Sequence, residues 1–452
     1  MIDTLLVCNR GEVAVRVIRA CRLLDIRCAV AHSTADRDSL PVRLADDAVC
    51  VGPGPADHSY LSIPALLYAC ARTGADAVHP GYGFLAEDAD FAAACRDSGI
   101  TWVGPSPEHL TLLGDKIATR NAVSAAGLPV LPGSRNPVTG LADATGQARD
   151  IGYPVALKAA VGGGGRGVVR VDHEDRLAAV FDKARDSAWT LFHDDRLYVE
   201  KWMENARHVE VQVLADRHGN AVHLGERDCT VQRRNQKLVE ESPAAGLTPS
   251  RREALGDWAV RTARHLGLRG LATVEFLIDD AGEPFCTEIN PRLQVEHPVT
   301  EVRTGHDLVA WMIREAMGEP VPDEAPPRGH AVEARITAED PARDWAPSCG
   351  TVTDLVLPGG PGVRVDTWLT PRTTVSPHYD PLLAKVVCWG PDRDTARRRL
   401  IQALEEFVCR GVAHNAEALV AILRHRDFES GEHRAGVVEA ACRTLSGTGG
   451  AR

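Results

Sequence analysis

The run Glu288-Ile289-Asn290-Pro291-Arg292-Leu293-Gln294-Val295-Glu296-His297 alternates polar and apolar residues along its length. In an extended chain successive side chains face opposite ways, so Glu288, Asn290, Arg292, Gln294 and Glu296 share one side. Pro291 cannot donate within a central ladder, so the run is read as a strand end passing into a loop. Solvent exposure alone would account for a polar face. This face, however, gathers two carboxylates, two amides and a guanidinium within nine residues. Hard cations take oxygen ligands, and Mg²⁺ typically binds one or two carboxylates plus phosphate oxygens. Glu288 and Asn290 suit that role, while Arg292, Gln294 and Glu296 read as a small-anion site with a base beside it.

Outward from this run the chain reads as strands and turns. Leu271–Ile278 is an apolar strand carrying Glu275, an acid that would cost several kcal/mol if buried unpaired and that a bound cation would satisfy. Glu226–Lys237 holds four cations in twelve residues and is expected to be a basic loop, either solvated or an anion site. Arg207–Val213 alternates as a strand, with His208, Glu210 and Gln212 on one face. Tyr153–Lys158 is a strand ending in a lysine. It enters Gly162-Gly163-Gly164-Gly165-Arg166-Gly167 and then a second strand, Val168–Val171. Strand-glycines-strand is a hairpin, not a P-loop, which needs a following helix and Gly-Lys-Ser/Thr. Glycines let backbone N–H groups approach phosphate oxygens and let a lid open and close.

At the N-terminus, Leu5-Leu6-Val7, a helical repeat of Val13, Val17, Ala20 and Leu24, and Arg27–Ala31 form a β-α-β start, which predicts a parallel sheet with flanking helices. The first turn lacks Gly-x-Gly-x-x-Gly. Pro80-Gly81-Tyr82-Gly83-Phe84-Leu85 follows a strand, and reads equally as a tight turn around an aromatic or as a ligand-facing loop. A net charge of -11 argues against general binding to nucleic acid or anionic membrane. No signal-peptide pattern or membrane-length apolar run is present, and the twelve cysteines include no Cys-x-x-Cys pair, so they are expected to be buried thiols in a reducing cytoplasm.

Glu288-Ile-Asn-Pro-Arg-Leu-Gln-Val-Glu-His-Pro-Val-Thr-Glu301 resembles the signature of biotin carboxylases, members of the ATP-grasp superfamily, and the likeness runs from Ile2 to about Cys442. The resemblance implies an α/β chain of three parts. These are an N-terminal doubly wound domain (1–114), an ATP-grasp domain (115–330) with a mobile lid at about 131–202, and a C-terminal domain (331–447). It implies ATP- and bicarbonate-dependent carboxylation of biotin through carboxyphosphate. Lys116, Lys158, Gly163, Gly164, Gly165, Glu200, Lys201, His208 and Gln232 would serve the nucleotide, with Tyr82 facing the site. Glu275, Glu288 and Asn290 would hold two Mg²⁺ or Mn²⁺ ions. Arg292, Lys237, Gln294 and Val295 would cradle bicarbonate, Glu296 would be the base, and Arg335 would stabilise the biotin enolate.

Two positions depart from the family pattern. Val161 stands where a further glycine is common, and Asn235 where a histidine is expected. The Met-Lys-Met setting of a biotinylated lysine is absent. The expectation is therefore a free-standing subunit, forming a homodimer, that works with a biotin carboxyl carrier protein and a carboxyltransferase on separate chains. Such a subunit would belong to an acyl-CoA carboxylase of the acetyl-CoA or propionyl-CoA kind that serves fatty acid biosynthesis. The rivals are another ATP-grasp ligase that makes an acyl phosphate, and a non-catalytic nucleotide-binding subunit.

Overall fold

Short strands that are apolar on both faces need cover on both sides, and the N-terminal segment supplies helices for it. In the computed structural model, which describes residues 1–163, 165–322 and 326–446, β1 (Thr4–Val7) is buried throughout. It pairs in parallel with β2 (Arg27–Ser33) and β4 (Ala77–His79). β3 (Asp47–Gly52) and β5 (Thr101–Trp102) complete a parallel sheet of order β3-β2-β1-β4-β5. Strand order reverses between β1 and β4, and ligands of such sheets sit beyond the carboxyl ends at that point. There Asn9 Nδ2 donates to the carbonyls of Pro80 and Tyr82 at 2.7 and 2.8 Å. Gly81 has φ 67°, and a Cβ on it would lie 2.9 Å from Asn9 Nδ2, so the turn requires glycine.

The helix Lys116–Ala125, capped by the Asp115 carboxylate, leads toward the glycine-rich segment. β6 (Val155–Ala159), β7 (Val168–Val171) and β8 (Leu197–Lys201) form a separate antiparallel sheet of order β7-β6-β8. Helices Leu141–Ile151 and Glu174–Phe192 cover it, and it has its own core of Val155, Leu157, Val171, Leu177, Phe181, Leu197 and Val199. The glycines join β6 to β7.

β9 (Arg207–Ala215), β10 (Ala221–Arg233), β11 (Gln236–Ser242), β12 (Gly270–Ile278) and β13 (Pro284–Asn290) belong to a larger antiparallel sheet. It continues through β14 (His330–Thr337) into the strands Leu382–Gly390 and Val363–Thr367. Residue 330, the expected junction of two domains, therefore falls inside one continuous sheet: Glu240 of β11 pairs directly with Glu333 of β14.

The stretch Glu226–Lys237 is not the basic loop its charges imply. It is a β-hairpin in which only Arg234 and Asn235 lie outside the strands, with φ of 49° and 65°. Two central residues at positive φ suit a two-residue hairpin turn, and Asn tolerates that conformation better than most residues. The charges misled because Arg227 is not solvated. It is fully buried, with its guanidinium on Glu210, Gln212, Thr273 and Thr300. Among the described residues no helix is long and apolar enough to cross a membrane.

Candidate active site

β12 and β13 set Glu275 directly opposite Glu288, and Thr273 opposite Asn290. Facing carboxylates repel across a ladder unless something positive or hydrogen-bonding stands between them. Asn290 Nδ2 donates to Glu275 at 2.8 Å and to Glu288 at 3.4 Å, while Lys116 Nζ donates to Glu288 at 2.8 Å. His208 Nε2 lies 2.9 Å from Glu275, and its Nδ1 lies 2.7 Å from Gln232 Nε2. Burial favours neutral His208, yet the Glu275 carboxylate raises its pKa on balance. Against the cost of burial, Lys237 and His208 hold Glu275 far below the usual carboxylate range. Two carboxylates and a side-chain amide on one sheet face are the oxygen-bearing groups a hard cation would take.

The cluster continues without a break into the residues expected to meet an anion. Lys237 Nζ reaches Glu210 at 2.7 Å, Glu275 at 3.4 Å and Glu296 at 2.6 Å. Arg335 donates to Glu240 through Nε at 2.6 Å and to Glu296 at 2.8 Å. Burial would raise the pKa of Glu296, but Lys237, Arg335 and Arg227 hold it well below the usual range, so it is ionised at neutral pH. Gln294 is buried, and its Nε2 has no hydrogen-bond partner among the described residues. A buried orphan donor marks a place where a ligand oxygen belongs. The Val295 carbonyl accepts from Lys385 Nζ at 2.9 Å. Arg292, expected in the cradle, directs its Nε to Glu87 at 2.8 Å and keeps a 3.4 Å contact to Asn290 Oδ1. A cavity of about 540 Å³ opens beside these groups, lined by Tyr82, Arg166, Gln236, Val295, Arg335 and Tyr379 among others.

The residues expected to serve the nucleotide form a second group. Lys158 pairs with buried Glu200, which also takes Arg120 at 3.0 Å. Gly163 lies exposed on the glycine run, and the Gly165 carbonyl accepts from Asn235 Nδ2 at 3.4 Å, joining that run to the β10–β11 turn. Gly164 lies outside the described residues. The Tyr82 hydroxyl donates to Glu12. Lys201 is the exception: it shares the face of Leu197 and Val199, and its Nζ donates to the carbonyls of Gly152 and Tyr153 at 2.8 and 3.3 Å. Its side chain therefore projects to the face opposite Glu200, since neighbours on a strand face opposite ways.

No role is assigned from the sequence to Glu210, Glu240, Arg120, Glu87, Lys385 or Glu12. A signal existed for two of them. Glu210 follows His208 by two positions on one strand face, and Lys385 is a lone charge in the apolar run Leu382-Leu-Ala-Lys-Val-Val-Cys388.

The chain was also compared with known proteins. Three family profiles match it in order: "Biotin carboxylase, N-terminal domain" over residues 1–110, "Carbamoyl-phosphate synthase L chain, ATP binding domain" over 115–324 and "Biotin carboxylase C-terminal domain" over 333–440. It is 46% identical to the biotin carboxylase of Allochromatium vinosum over 435 residues, covering 95% of this chain and 96% of that one. A Campylobacter jejuni biotin carboxylase solved as a β,γ-ATP complex superposes with a TM-score of 0.95 at 38% identity, covering 97% of this chain and 99% of that one. The biotin carboxylase domain dimer of Hydrogenobacter thermophilus 2-oxoglutarate carboxylase, solved with MgADP, ADP and bicarbonate, gives 0.94 at 40% identity, covering 97% and 98%.

Proposed function

The chain belongs to the biotin carboxylases, ATP-dependent ligases that carboxylate biotin in the first half-reaction of biotin-dependent carboxylases, and from that premise we propose roles for its residues. The reaction uses ATP, Mg²⁺, hydrogencarbonate and carrier-bound biotin. Lys116, Lys158 and the backbone of the glycine run receive the phosphates. Glu275, Glu288 and Asn290 would hold the two divalent ions, which when bound would supply charge neutralisation to phosphoryl transfer. Such transfer needs positioning and charge stabilisation more than covalent help from the protein.

Hydrogencarbonate lies against Arg292, Lys237, Gln294 and Val295. Glu296 takes its proton, and the freed oxygen attacks the γ-phosphorus to give carboxyphosphate and ADP. Breakdown yields CO₂ and phosphate. The phosphate accepts the ureido proton of biotin, whose nitrogen attacks CO₂ while Arg335 stabilises the enolate-like oxygen. The observation that carries this reading is an ionised Glu296 held between Lys237 and Arg335, two residues along from the unpaired amide of Gln294.

Glu296→Gln is the test. ATP binding should persist, while hydrogencarbonate-dependent ADP release should fall by about 10²–10⁴-fold, the range for losing a general base. Full activity in that variant would remove Glu296 from the mechanism.

The domain limits 1–114, 115–330 with lid about 131–202, and 331–447 rest on the three matched profiles and on the lid's separate core. A homodimer working with a carrier protein and a transferase on separate chains is supported by relatives matched over nearly their whole length and by the dimeric Hydrogenobacter domain. A reducing cytoplasmic setting suits twelve cysteines of which none forms a disulfide among the described residues.

A further inference from the structure

Lys385 is fully buried on the strand Leu382–Gly390, directly across the ladder from Arg335. Side chains directly opposed in a ladder project to the same face. Arg335 reaches Glu296, and Lys385 donates to the carbonyl of Val295 at 2.9 Å. One rung of the sheet, shared by two neighbouring strands, thus grips consecutive residues of the loop that carries the base. The second partner of the Lys385 ammonium is Glu12, at 3.0 Å, in the first turn of the helix Gly11–Leu23 that follows β1. Glu12 also receives the Tyr82 hydroxyl, so the tie extends to the wall of the 540 Å³ cavity.

An apolar residue could fill this place, since the flanking positions are leucine, alanine and valine. A buried ammonium is costly to desolvate and needs good partners. What it supplies here, and an apolar residue cannot, is a hold on one carbonyl. The peptide unit is planar, so fixing the Val295 C=O also fixes the N–H and Cα of Glu296. The same bond limits how far Gln294, one residue back, can move its unpaired amide.

We propose that Lys385, with Glu12 as its counter-ion, is a positioning residue for hydrogencarbonate: it locks the Val295 peptide so that Gln294 and Glu296 face one anion in fixed geometry. The inference rests on the hydrogencarbonate reading of that loop.

The test is steady-state kinetics on Lys385→Met, Glu12→Gln and the double variant, with Arg292→Ala alongside. Lys385→Met should raise KM for hydrogencarbonate by about tenfold or more and lower kcat, the scale expected from a small misplacement of reacting groups. Its KM for MgATP should stay within about twofold, because the nucleotide contacts are elsewhere. The double variant removes charge and counter-charge together, so its melting temperature should recover toward the parent's while the hydrogencarbonate KM stays high. Recovery of that KM in the double variant, or an equal rise in KM for MgATP, would reduce Lys385 to a packing role and overturn the proposal. If Arg292→Ala raises the hydrogencarbonate KM while Lys385→Met does not, only the positioning role fails. If neither raises it, the hydrogencarbonate reading of the loop fails.

Discussion

Glu240 is a fully buried acid whose Oε1 accepts from Arg335, while its Oε2 has no hydrogen-bond partner among the described residues. Burial, opposed by Arg335 and aided by Glu296, pushes its pKa from 4.5 up to about 7. Between those values the folded chain holds a proton that the unfolded chain has released, so this group makes stability fall as pH rises through the window. Glu240→Gln should flatten that slope, read as urea midpoints at about pH 5 and about pH 7. A parent-like slope in the variant would count against the assignment. Glu275 and Glu296 act in the opposite sense: their lowered values add stability above the ordinary carboxylate range, which is lost as pH falls. Alternation made Glu288 and Asn290 legible on one face of β13, whereas Gln294 and Glu296 lie past the strand end, in the turn before the helix His297–Thr304, where the period of two no longer holds. The same rule, applied to Glu200 and Lys201, puts their side chains on opposite faces of β8. Glu240 and Glu12 were illegible because their partners, Arg335 and Lys385, lie far along the chain.

The β10–β11 hairpin shows how charge can disguise an element. Four cations imply solvent, but Arg227 finds buried partners on β9, on β12 and on the helix His297–Thr304, which no local window contains. An Arg-Asn turn is also a weaker hairpin signal than Asn-Gly. The turn supports a prediction. Asn235→Val, β-branched at φ 65°, should cost about 1–2 kcal/mol in denaturant unfolding. Asn235→Gly should leave stability within about 0.5 kcal/mol, because glycine accepts that backbone. It would nonetheless cut the contact with Gly165, and a raised KM for MgATP without loss of stability would identify the turn as a rest for the glycine run.

At the scale of the molecule, three units converge on one pocket: the turns and helix start of the N-terminal sheet bring Asn9, Glu12 and Tyr82, the glycine run of the small sheet brings Arg166, and the large sheet brings Gln236, Arg335, Thr337 and Leu382, with Val295 and Tyr379 from loops beside it. MgADP at about 100 times its Kd should stabilise the fold by about 2.7 kcal/mol, read as a thermal shift. A chelator, or Glu288→Gln, should shrink that shift, and an unchanged shift would exclude Glu288 as a metal ligand. The order of the three units was readable from motifs along the chain. The joining of β11 to β14 was not, because alternation in His330–Ile336 identifies a strand without naming its neighbour. That join governs where the chain can be cut. Ending it near residue 330 would strip β11 of its partner and leave the Val239–Ser242 backbone, now laddered to Ala331–Ala334, as a bare edge. Such a fragment should recruit other copies of itself and precipitate, whereas ending the chain at Ser446 keeps the rungs that join Leu382–Gly390 to His330–Thr337 and to Val363–Thr367.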